Sequence, residues 1–183
     1  LKKVFKQNTK IVLLSCGADF ANINYAVNHK DELSLLTPYF KNPEIKSHFS
    51  FALTYLKRSH KKTHDFIYKN IDAVIASDYD YVAPLTGFQK YKGLIPNPII
   101  INNTPRQINS LDGQIRILLG INRWNYYAKG IPFFEEALIL LKEKYASKIE
   151  IIKSENLPYK NYVSILEKAH IILDQVYSKD QGR

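Results

Sequence analysis

Methionine is missing from the whole chain, position 1 included, and cysteine occurs once, at Cys16. A lone thiol excludes a disulfide framework, and no Cys/His cluster has the spacing of a zinc site, so no metal is expected. The absence of methionine predicts a fragment of a longer chain, or one from which modified residues such as selenomethionine have dropped out. No apolar run approaches the roughly 18 residues that span a bilayer as a helix. No charged, apolar and small-residue leader precedes the first predicted strand, so the cytoplasm is the expected location, with the inner face of the membrane as a place of work.

Acidic residues are also scarce: 17 Asp and Glu stand against 26 Lys and Arg, a net charge of +9. That balance points to acidic partners such as phosphates, nucleic acid or an anionic membrane surface. The plain alternative is a basic protein with no such partner. Glycine is sparse, with seven in 183 residues, and none forms the Gly-rich signature of a dinucleotide or P-loop site. His48, His60 and His64 have no carboxylate at ligand spacing and are read as surface residues.

What is present is a core and an alternation. At 45% hydrophobic content the chain can bury one large core or two small ones. Compact apolar runs at 10–15 (KIVLLS), 71–76 (IDAVIA), 91–95 (YKGLI), 115–119 (IRILL), 148–152 and 171–174 read as buried strands. Helical spacing runs between them at 47–69, 79–85, 130–145 and 159–168, whereas 22–42 reads as loops with at most a short helix. In 130–145 the inward residues are predicted to be Ile131, Phe134, Ala137 and Leu141. This α/β alternation argues for parallel sheets with right-handed crossovers. Prolines, asparagines and serine mark 101–113 as a linker between 1–100 and 114–183.

The stretch 115–137 organises the second half. The apolar run ends at Gly120 and helical spacing resumes at Gly130, leaving about nine residues where strand-to-helix loops usually take about 2–6. Arg123 and Lys129 sit in that gap. They would face the free N–H groups and positive end of the next helix, a geometry that holds phosphate. Trp124, Tyr126 and Tyr127 are expected to pack the loop. In the first half, Cys16-Gly17-Ala18-Asp19 follows a strand at its carboxyl end, where open α/β sheets bind ligands. Gly17 and Asp19 are therefore candidates, against the plainer reading of a turn glycine and a capping aspartate. The basic run Lys57-Arg58-Ser59-His60-Lys61-Lys62 is either a solvated helix face or a surface for membrane or polyphosphate.

The series GLIPNPI, a linker, IRILLGINRW and KG with a helix, a strand, and LPYKNYVSILEKAHIILDQVYSKDQG resembles the nucleotide-sugar-dependent glycosyltransferases of the GT-B fold. The likeness is to their retaining, bacterial-polysaccharide branch. Its most specific part is 120–130 followed by Ala169-His170-Ile171-Ile172-Leu173-Asp174. The resemblance implies two Rossmann-like domains, both incomplete here: the rear of an acceptor-side domain and the front of a donor-side one.

It also implies that Arg123, Lys129 and Gly130 grip the donor diphosphate, and that Asn156, Leu157 and Gly182 lie at the donor's base and ribose. Gly17 and Asp19 would lie toward acceptor and sugar. Asp180 would approximate the start of the carboxylate segment that meets the donor sugar. Cys16 stands where relatives often carry a histidine that approaches that sugar.

The activity so implied is transfer of a hexose from a nucleotide-diphosphate sugar to a glycan or lipid-linked acceptor, in cell-surface polysaccharide synthesis. No cofactor or metal is expected, and no nucleic acid. An anionic membrane surface is a candidate partner. A nucleotide-sugar epimerase-type α/β enzyme and a non-catalytic basic module binding membrane or nucleic acid are the alternatives.

Overall fold

A computed structural model describes residues 1–98 and 113–179. The chain divides into two compact units, Leu1–Ile100 and Ile101–Arg183. The predicted linker lies, apart from Gly113, outside the described residues. Both units are mixed α/β, each built on a parallel three-stranded sheet.

In the first unit, α1 (Lys2–Gln7) precedes β1 (Val12–Ser15). The crossover to β2 (Ala73–Ala76) contains α2 (Phe20–Asn28), α3 (Thr37–Lys41), a 3-10 segment (Pro43–Phe49), α4 (Ser50–Thr54) and α5 (Arg58–Asn70). A 3-10 turn (Tyr79–Tyr81) and α6 (Val82–Leu85) lead to β3 (Tyr91–Leu94). The sheet order is β1-β2-β3, with Val12 opposite Ala73 and Ser15 opposite Ala76. The β2–β3 register slips between Val74 and Ala76. Gly93, at φ +109°, supplies the left-handed backbone that such a bulge needs. Tyr68, Ile71, Val74, Ala76 and Leu85 form the core.

Three readings of this unit change. Residues 22–42 begin inside a nine-residue helix, α2 (Phe20–Asn28), whose buried Asn22, Ile23 and Ala26 were masked by neighbouring asparagines of poor helix propensity. The long helix over 47–69 is broken: the amides of Tyr55, Leu56 and Lys57 bond to carbonyls three residues back, and Lys57 is extended at ψ 148° before α5 begins. No glycine or proline announces the break. Strand β1 is covered on one side only, since Val12 is 56% and Leu14 43% exposed.

The second unit has β4 (Ile115–Ile121), a 3-10 turn (Arg123–Asn125), α7 (Ile131–Tyr145), β5 (Ile149–Glu155), α8 (Tyr159–Leu166) and β6 (Ile171–Leu173). The order is β5-β4-β6, with Ile115 opposite Ile149, Ile121 opposite Glu155, and Leu119 opposite Leu173. Strand β4 is therefore central: the crossover through α7 leads from it to β5 on one side, and the crossover through α8 leads from β5 past it to β6 on the other. Ile117, Leu119 and Ile121 pack on Ile131 and Leu138 of α7. Gly120 points the other way, where an added Cβ would lie 3.4 Å from the Tyr162 hydroxyl of α8. On α7, Ile131 and Leu138 are the fully buried residues, with Phe134 and Leu141 packed beside them. Ala137 is exposed instead, because the buried stripe runs through Leu138.

Candidate functional site

A sheet whose strand order reverses leaves a crevice at the carboxyl ends of the strands on either side of the reversal, and ligands collect there. In the second unit that place is the end of β4, between β5 and β6. A cavity of about 480 Å³ opens at it. Its polar lining includes Asn122, Lys129, Ser154, Asn156, Tyr162 and Asp174, and Trp124 and Leu157 supply apolar surface.

Strand β4 runs past Gly120 to Ile121, so the loop is 122–130. Asn122 opens it, accepting from the Trp124 amide at 3.0 Å and starting the 3-10 turn. The loop closes on Gly130, the residue before α7, at φ +72°. A Cβ there would lie 2.8 Å from Val176, so only glycine fits both the backbone and the neighbour. The Val176 amide donates to the Lys129 carbonyl at 3.0 Å, tying this loop to the segment after β6.

Lys129 projects into the cavity, where Nζ lies 2.5 Å from Asp174 Oδ1 with both side chains about a third exposed, 30% and 31%. Arg123 is not among the cavity's lining residues. Its guanidinium grips Glu155 with two bonds, Nε to Oε1 at 2.6 Å and Nη2 to Oε2 at 2.7 Å, and lies over the Tyr126 ring. These bonds hold the Glu155 carboxyl below its usual range and push the Arg123 pKa up. The Tyr126 hydroxyl donates a short hydrogen bond to Glu135, which Lys153 also contacts at 3.2 Å. The Tyr126 bond is the main cause of a lowered Glu135 pKa and a raised Tyr126 one. The two cations that the sequence groups together are thus held on different carboxylates.

The helix end behaves differently from the expectation. Pro132 has no N–H, and the amides of Gly130, Ile131 and Phe133 donate to Tyr127, Tyr126 and Gly130 carbonyls. Those donors are occupied, so an anion in this cavity is held by side chains. Trp124 is also not loop packing: it is 89% exposed on the cavity wall, while Tyr126 packs on the core and meets Tyr127 edge to face. Asn156 lines the cavity in a left-handed conformation, φ +53°, with Leu157 beside it. Asp174, to which sequence reasoning gave no role, is the residue it missed. The signal was available in its position at the end of a strand.

In the first unit a cavity of about 340 Å³ lies at the end of β1, lined by Cys16, Gly17, Asp19, His60, His64 and Tyr68 among others. Asp19 caps α2, accepting from the Asn22 amide at 2.9 Å and its side-chain amide at 2.8 Å. Gly17 has no positive φ, and a Cβ there would meet nothing within 4 Å, so the turn does not demand glycine. Cys16 is an exposed free thiol. His64 is half-buried rather than on the surface, between the rings of Phe20 and Tyr68. Burial pulls its pKa down and pushes the Tyr68 phenol up. Tyr81 is pushed up to about 12, by burial first and then by Asp78. Ser15 Oγ and the Tyr68 hydroxyl are buried without a hydrogen-bond partner.

Asp180 and Gly182, expected at the donor sugar and ribose, lie outside the described residues. Among the described residues no group of three or more His, Cys, Asp or Glu side chains converges as a metal-binding set. No helix among them is long and apolar enough to cross a membrane. Comparison with protein families, with curated proteins and with solved structures returns no match to this chain.

Proposed function

We propose that the chain carries the donor half of a retaining, GT-B-type glycosyltransferase, which moves a hexose from a nucleotide-diphosphate sugar to a glycan or lipid-linked acceptor. The observation that carries the reading is Lys129, whose ammonium enters a cavity at the reversal point of a parallel sheet. Its three N–H donors can serve Asp174 and a phosphate oxygen together. In sugar transfer the C1–O bond to the diphosphate breaks, the acceptor oxygen bonds to C1, and negative charge grows on the departing diphosphate. A fixed cation there stabilises the transition state more than the bound substrate.

The rest of the lining fits a nucleotide. Trp124 offers an open indole face for a base. Asn122, Asn156 and Ser154 offer donors and acceptors for base edge and ribose. Arg123 would have to leave Glu155 to join the diphosphate, so Lys129 is assigned the larger share. Cys16 and Asp180 are assigned as catalytic candidates at the donor sugar, Gly17 and Asp19 to the acceptor and sugar side, and Gly182 to the base and ribose. The work is assigned to the cytoplasmic face of the membrane, without a cofactor.

Calorimetric titration with UDP and GDP tests the reading. Saturable binding that weakens at least tenfold in Lys129→Ala supports it, and no binding of either nucleotide by the full chain overturns it. Turnover of a nucleotide sugar without any acceptor would instead favour the epimerase-type alternative.

A further inference from the structure

The cavity at the end of β1 holds polar groups that the proposed sugar transfer leaves unused. One lining brings together the exposed thiol of Cys16, the imidazoles of His60 and His64, and the side chains of Ser15 and Tyr68. Ser15 is 3% exposed and Tyr68 9%, and the hydroxyl of each is buried with no hydrogen-bond partner among the described residues. Unpaired buried hydroxyls are costly, and a ligand that brings amide or carboxylate oxygens to them relieves that cost.

The thiol beside them is chemically usable. Reactive cysteines are exposed and stand near groups that can take the thiol proton. The His64 ring is fixed in the wall, with centroids 5.1 Å from Phe20 and 4.0 Å from Tyr68. Burial lowers its pKa, so it is neutral and able to accept a proton near neutral pH. Cys16 is also the only cysteine of this chain. A group attached to it cannot be displaced by a second thiol of the same chain.

We propose that Cys16 is a site of reversible thiolation by a small peptide disulfide of the glutathione type, with the attached peptide seated in this cavity. An imidazole of the lining takes the thiol proton, and the thiolate attacks one sulfur of the disulfide. A new S–S bond forms, the old one breaks, and the second peptide leaves as a thiolate that picks up the proton. The disulfide is the oxidant, and excess free thiol reverses the step. The Ser15 and Tyr68 hydroxyls donate to oxygens of the attached peptide. The proposal rests on this cavity and does not require the donor-site reading.

The full chain is treated with glutathione disulfide at neutral pH and followed by intact-protein mass spectrometry, beside the same chain unfolded in urea. The expected result is a gain of one glutathionyl group, removed by dithiothreitol and formed at least about tenfold faster by the folded chain. Ser15→Ala/Tyr68→Phe removes both unpartnered hydroxyls and leaves no new polar group buried, so the fold should survive. It should lower the equilibrium amount of glutathione adduct about tenfold, the share of a hydrogen bond to a charged group. With hydroxyethyl disulfide, which has no amide or carboxylate, the amount should not change. His60→Gln/His64→Phe should slow the exchange severalfold, and circular dichroism checks that each variant is folded. A wild-type chain that reacts no faster folded than unfolded would overturn the proposal. So would an undiminished glutathione adduct in the folded hydroxyl variant, an equal loss with both disulfides, or an unslowed exchange in the folded imidazole variant.

Discussion

Lys129 Nζ and Asp174 Oδ1 meet at 2.5 Å across the end of the second sheet. One residue precedes the helix that follows β4, the other follows β6. Their pairing closes one side of the cavity. It also means that a cation available to an anionic ligand is already shared with a carboxylate.

Removing that carboxylate's charge should free the ammonium. Asp174→Asn is expected to tighten UDP or GDP binding a few-fold, on the order of 1 kcal/mol for a partly exposed pair. Lys129→Ala should weaken it about ten- to a hundredfold, the range of a hydrogen bond to a charged group. Isothermal titration at low salt measures both. A loss of affinity in Asp174→Asn as large as that in Lys129→Ala would show that Asp174 positions the lysine and does not compete for it.

Arg123 should matter less. Its guanidinium is held by Glu155 away from the cavity lining, so Arg123→Ala is expected to change nucleotide affinity by no more than about threefold. If the two single variants prove equal in the same titration, the arginine leaves Glu155 when ligand binds. Glu155→Gln should then strengthen binding.

Gly130→Ala should destabilise the second unit by about 2–4 kcal/mol. Of this, roughly 1 kcal/mol comes from the left-handed backbone and the remainder from overlap with Val176, 2.8 Å from the added Cβ. Urea unfolding measures the loss. Adding Val176→Gly should relieve the crowding while leaving the backbone part, and equal losses with and without it would mean that crowding contributes nothing.

The first unit should lose stability on acidification through His64. Burial lowers its folded pKa, and Lys61 lowers it further, while Asp19 and Asp65 act the other way. The unfolded chain therefore binds the proton first. The contribution is complete above pH about 6.5, the unfolded value, and is lost as pH falls from there toward the folded pKa. His64→Phe keeps a ring between Phe20 and Tyr68 without a titrating group. Melting curves across this range should show a flatter pH dependence for the variant, and an unchanged slope would place the titration elsewhere.

Strands were the most legible elements, because runs such as IDAVIA and IRILL are short, largely apolar and rich in β-branched residues, which favours a strand over a helix. Helix α7 was equally clear in its extent, though not in its inward face: Leu138, not Ala137, completes the buried stripe. Helix α2 was not legible, since its polar Asn22 is buried only because Gly17 and Asp19 accept its side-chain amide. Lys129 could be found from the length of its loop. Trp124, placed by expectation in the loop's packing, became part of the cavity wall once strand β4 ran on to Ile121 and Asn122 turned the chain.

The amino-acid sequence by itself determined the α/β alternation, the excess of positive charge and the two cations between β4 and α7, because composition, periodicity and loop length are local properties. The tertiary structure alone decided which acid each cation meets. Glu155 is 32 residues from Arg123, and Asp174 is 45 from Lys129. Only the order β5-β4-β6 brings those strand ends together, one on each side of the central strand. Strand order is set by crossovers and core packing over the whole unit, and no short stretch of sequence encodes it.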